Sequence, residues 1–152
     1  MRIATYNVWY QDIDVRAEQL FEEIDKVDAD VIALQEVPSA FYKELVKGCE
    51  YEHCAYVSYE DEEMGLAFLS KHPILNQINF IDDSISQSII LEREGIKYSI
   101  TNVHLPWNSI IAKEKQIVAI DKFIHSCEKK LIFLFFLVIL IARYLQVFII
   151  IL

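Results

Sequence analysis

Two short apolar runs in this chain end on side chains suited to a cation or a phosphate. Arg2-Ile3-Ala4-Thr5-Tyr6-Asn7 delivers a carboxamide, and Asp30-Val31-Ile32-Ala33-Leu34-Gln35-Glu36 delivers a carboxylate. A strand end is a rigid platform, and in α/β folds ligands collect at such ends. A single carboxylate held there suits magnesium, which takes few protein oxygens and completes its shell with water and substrate phosphate. Asn7 can orient that carboxylate or a phosphate oxygen, although asparagine is also a common turn residue. Farther on, Ile100-Thr101-Asn102-Val103-His104-Leu105 has strand character. Period-two alternation puts Asn102 and His104 on one face of it. Trp107 and Asn108 follow in a loop, where an aromatic ring can stack on a base or sugar, or cover the core edge.

The elements that must hold these groups are legible nearby. Residues 2–8 read as a buried strand and 31–36 as a second. Between them Ile13, Ala17, Leu20, Ile24 and Val27 recur at helical spacing, which predicts an amphipathic helix over 13–27. Ser39 is placed to cap a helix over 40–47 that Gly48 stops. This order of strand, helix, strand, helix predicts an α/β fold. Four more strands are expected over about 51–58, 64–69, 87–92 and 97–104. Glu94-Gly95 reads as a hairpin turn, and 109–126 as a further helix. Glu60-Asp61-Glu62-Glu63 reads as a solvated loop.

The 152 residues carry a formal charge of −9, and Arg143 is the only charged residue beyond position 130, so the first 130 carry −10. Such a body disfavours tight, non-specific nucleic-acid binding through a basic surface. A metal-dependent phosphoesterase is compatible with it, because the ion supplies local positive charge. Three cysteines without metal-ligand spacing do not make a disulfide framework. A first strand at residue 2 leaves no signal peptide, so a cytoplasmic location is expected.

Four segments together resemble the endonuclease/exonuclease/phosphatase superfamily, the DNase I-like magnesium-dependent phosphodiesterases and phosphomonoesterases. They are the runs ending at Asn7 and at Glu36, the segment Gly65-Leu66-Ala67-Phe68-Leu69-Ser70-Lys71-His72-Pro73-Ile74, and the asparagine-x-histidine-leucine strand ending at Leu105. Each alone is weak; four in order are specific. The resemblance covers residues 1 to about 126, roughly the first half of a family domain. It implies a four-layer α/β sandwich of mixed sheets flanked by helices, here incomplete. It implies Glu36 as ligand to Mg2+ (or Mn2+), Asn7 and Trp107 as substrate contacts, and His104 with Asn102 as catalytic groups, His104 bonding the scissile phosphate or assisting the leaving group. The implied substrate is a phosphate ester of nucleic acid, nucleotide or phospholipid head group. No protein partner is expected.

The family's next strand ends in glycine-aspartate-phenylalanine-asparagine, which supplies the water-activating aspartate. Here Leu131 to Ala142 is twelve consecutive apolar residues, and residues 131–152 contain only Arg143 and Gln146 as polar residues. Written as TTG GTG ATT TTA ATT, the codons for Leu137-Val138-Ile139-Leu140-Ile141 read Gly-Asp-Phe-Asn from the last base of the first codon. Residues 1–130 are therefore expected to be a partial domain, and the stretch from about 135 a reading-frame scar. Lacking the aspartate and the family's later aspartate-histidine pair, the chain is expected to be inactive. Two other readings compete: a membrane helix over 131–152, with Lys129-Lys130 on the cytoplasmic side, and a pseudoenzyme that binds phosphate or metal without turnover.

Overall fold

The computed structural model describes residues 1–59, 63–80, 86–106, 109–126, 132–138 and 147–151. Its opening is β1 (Arg2–Asn7), α1 (Ile13–Val27), β2 (Val31–Pro38) and α2 (Ser39–Gly48). It continues with β3 (His53–Ser58), β4 (Met64–Ser70), β5 (Ile74–Phe80), β6 (Ser86–Arg93), β7 (Ile96–His104), α3 (Ile110–Ser126), β8 (Ile132–Val138) and β9 (Val147–Ile151). One sheet runs β3-β4-β2-β1-β9 and the other β5-β6-β7-β8, so both mix parallel and antiparallel pairs.

Side-chain alternation stacks these elements in four layers. Ala4, Tyr6, Ile32, Leu34, Ala67 and Leu69 turn to one side of the first sheet, where they pack with Leu20 and Ile24 of α1 and Phe41 and Leu45 of α2. Ile3, Val31, Ala33 and Phe68 turn the other way and meet Ile89, Leu91 and Ile100 of the second sheet. On the far side of that sheet Val103 packs with Ile120 of α3, and Gln116 of α3 donates to Ser86 of β6. The expected α/β sandwich is the architecture found.

Several local expectations are corrected. Ser39 is the first helical residue, not the cap; Pro38 holds the cap position, and no side chain bonds there. Proline suits the place because it has no backbone N–H to satisfy. Strand β5 went unread because Ile74-Leu75-Asn76-Gln77-Ile78-Asn79-Phe80 is polar in its middle, as an edge strand tolerates. The turn at Glu94-Gly95 has both residues at positive φ, 55° and 77°, as a two-residue hairpin turn of the primed type requires. The described parts of 131–152 are strands: β8 pairs parallel with β7 and β9 antiparallel with β1. Among the described residues no helix is long and apolar enough to cross a membrane.

One residue between the sheets is mismatched to its surroundings. Gln87 is fully enclosed, and neither of its amide atoms has a hydrogen-bond partner among the described residues. Its cross-strand neighbour Asn102 points between the sheets, and directly opposed residues share a face. A buried polar atom without a partner costs about 1–3 kcal/mol. Gln87→Met, which keeps the shape and removes both atoms, is expected to raise stability by about 1–3 kcal/mol. Denaturant unfolding checks this; an unchanged or lower midpoint would show that the amide meets a partner such as a buried water.

Candidate active site

The carboxyl ends of β1, β2 and β7 lie along one rim of the sandwich, and the chain uses a backbone irregularity to furnish it. Leu34 and Val37 both pack on the helix side of β2 with two residues between them. The pairing of β2 with β4 shifts register across that gap, and Glu36 sits at φ 56°. A bulge of this kind re-aims a side chain beside a site. Simple alternation would send Gln35 and Glu36 to opposite faces; here both serve the space between the sheets. A non-glycine residue in the left-handed region costs about 1–3 kcal/mol, and such strain is concentrated at functional positions.

At the rim, Asn7 Nδ2 donates to Glu36 Oε1 at 2.9 Å, and His104 Nε2 lies 3.3 Å from the same oxygen. Asn7, Glu36 and His104, three of the residues singled out in the sequence, are therefore in contact. The backbone N–H of Tyr10 is a further donor to Glu36. Burial works to raise the Glu36 pKa, but hydrogen bonds from His104 and Asn7 outweigh it and hold the carboxyl below the ordinary glutamate range. The group is thus a carboxylate at neutral pH, and the side chain remains 19% exposed. Asn7 Oδ1 accepts from the Trp9 backbone N–H at 2.8 Å. That bond fixes which end of the amide faces Glu36.

Asn102 occupies a different level. It is wholly buried, donates to Leu34 O at 2.8 Å and Ala67 O at 3.2 Å, and accepts from Gln35 Nε2 at 2.7 Å. Gln35 also donates to Thr5 Oγ1 at 3.0 Å. Asn102 shares the face of His104, and its amide ties the two sheets together one level below the rim. Trp107 and Asn108 lie outside the described residues.

Sequence reading missed three contributors. Tyr10 acts through its backbone, for which no sequence signal exists. Gln35 hid as the penultimate residue of an apolar run. Tyr59, whose hydroxyl is 3.1 Å from His104 Nδ1, stands just before an acidic stretch and belongs to no motif.

The model of the Endonuclease/Exonuclease/phosphatase family matches residues 4–121. The chain belongs to that family. Its likeness to solved structures extends over most of its length. Humanized TDP2 from D. rerio is 20% identical, with a TM-score of 0.75 over 89% of this chain and 60% of that one. A functionally unknown conserved protein from Enterococcus faecalis V583 is 21% identical, with a TM-score of 0.71 over 83% and 61%. Sphingomyelinase C from Streptomyces griseocarneus is 17% identical, with a TM-score of 0.71 over 89% and 62%. At these identities the structures establish a shared fold. The chain spans about three-fifths of the length of these relatives. Among curated proteins no sequence match is found.

Proposed function

We propose that residues 1–130 are the first part of a magnesium-dependent phosphoric ester hydrolase, and that the 152-residue chain retains its metal and phosphate end without turnover. The observation that carries this reading is the contact of Asn7, Glu36 and His104 on one rim, in a family whose structural neighbours include phosphoesterases.

The donor set fits the ion. Among the described residues no group of three or more His, Cys, Asp or Glu gathers as a metal cage. Glu36 is a lone carboxylate. A carboxylate offers about four lone-pair positions, and three donors are named on it, so capacity remains for a hard cation that keeps most of its own water. Bound there, magnesium would polarise a phosphoryl oxygen and stabilise developing charge. Asn7 aligns the carboxylate, and His104 presents an N–H at the rim that can bond a phosphate oxygen or serve a leaving group. A phosphate ester is the substrate class; the acidic body disfavours a long nucleic acid.

Turnover needs a base for the attacking water, and the site described here contains none besides His104. The register bears on why. Val138 is the pairing partner of His104, so the place next to the imidazole is where the shifted reading of Leu137-Val138-Ile139-Leu140-Ile141 would put Gly-Asp-Phe-Asn. An aspartate there would stand beside the site, which supports treating the stretch from about 135 as a reading-frame scar.

Two measurements test this. The gene should read as stated through codons 137–141. The purified 152-residue chain should show no magnesium-dependent hydrolysis of a simple phosphodiester. Turnover that disappears in Glu36→Ala would overturn the inactive reading, and a different codon series would overturn the scar.

A further inference from the structure

We infer that Tyr59 is a positioning residue for His104, fixing its ring plane and the nitrogen that carries the proton; its bearing on catalysis rests on the function proposed above, but the positioning does not. Tyr59 follows β3, and its backbone N–H donates to Met64 O at 2.8 Å, which extends the β3–β4 hairpin by one rung. From that anchored place its hydroxyl meets His104 Nδ1 at 3.1 Å. The two rings also stack, with centroids 6.2 Å apart and planes 26° from parallel. On the other side of the imidazole, Nε2 faces Glu36 Oε1 at 3.3 Å. Both nitrogens and one face of the ring are therefore committed.

Donor and acceptor logic assigns the proton. An ionised carboxylate only accepts hydrogen bonds, so Nε2 must be the N–H that faces Glu36. In a neutral imidazole the other nitrogen then holds a lone pair, and the Tyr59 O–H donates to it. Without Tyr59 the ring keeps Glu36 but loses the partner that prevents rotation about its axis. A ring free to turn would present its N–H at the rim only part of the time. Tyr59 thus holds the Nε2 N–H on the Glu36 side of the ring, at the rim.

The test is ring-nitrogen NMR on the full chain, uniformly labelled with 15N, at about pH 9, well above the ordinary histidine range. The His104 signals are assigned by their loss in His104→Gln. The native protein is expected to show a protonated Nε2 and an unprotonated Nδ1 shifted upfield by the bond it accepts. Tyr59→Phe retains the stacked ring and should move Nδ1 downfield while leaving Nε2 protonated. An Nδ1 signal indifferent to this change, or a native ring protonated on Nδ1, would overturn the assignment. Magnesium and phosphate that leave the protein unperturbed, alongside a Tyr59-dependent Nδ1 shift, would remove the phosphoesterase reading and leave the positioning intact.

Discussion

Gly65→Ala is expected to destabilise the fold by about 3 kcal/mol or more. A Cβ at this position would stand 2.0 Å from Val57 O, 2.9 Å from Val57 C and 3.0 Å from Ser58 Cα. All three atoms are backbone, so no side chain can rotate away to make room. Gly65 is paired on both sides, with Val37 of β2 and Ser58 of β3. One neighbouring strand would have to withdraw, with loss of ladder bonds on that side. The residue is not in a left-handed conformation, so the requirement is steric. Movement of β3 would also displace Tyr59, one residue past its end. Denaturant titration should show a lower midpoint at unchanged slope, together with a changed His104 ring signal. A shift of under about 0.5 kcal/mol, the range of an ordinary surface change, would mean the strands yield more easily than their pairing indicates.

Much of the fold was legible because local and long-range preferences agree in its first half. Ile13, Leu20 and Ile24 are buried at the helical spacing read from them, and the strands ending at Asn7 and Glu36 are parallel neighbours in register Asn7 to Gln35. The rim residues were readable for the same reason: a polar side chain closing an apolar run has few places to go except the edge of a sheet. What alternation could not reveal is the bulge at Glu36. Strict period two would have turned that carboxylate toward α1 and α2, and only the slipped pairing between Leu34 and Val37 returns it to the site. Asn102 illustrates the converse. The strand pattern gave its face correctly but not its depth below the rim, which depends on where the opposite sheet ends. Tyr59 depends on a hairpin partner and a histidine 45 positions away, a pairing no local pattern encodes.

The second large effect concerns Glu36, on which the site depends. Its place is strained at φ 56° and its carboxylate is partly buried, yet it is kept ionised by donors from two separate segments. A group held this way at a cost to stability is an expected signature of function. Removing the charge while keeping the shape should leave the fold in place and sharply weaken the affinity of this rim for a hard cation.

Calorimetric titration of the full chain with magnesium, in the presence of inorganic phosphate, tests this most directly. The native protein should give a saturable heat, and Glu36→Gln should weaken the binding at least about tenfold, equivalent to 1.4 kcal/mol. Equal binding by the two proteins, or no magnesium binding by the native chain, would contradict the assignment of this rim as a metal and phosphate site.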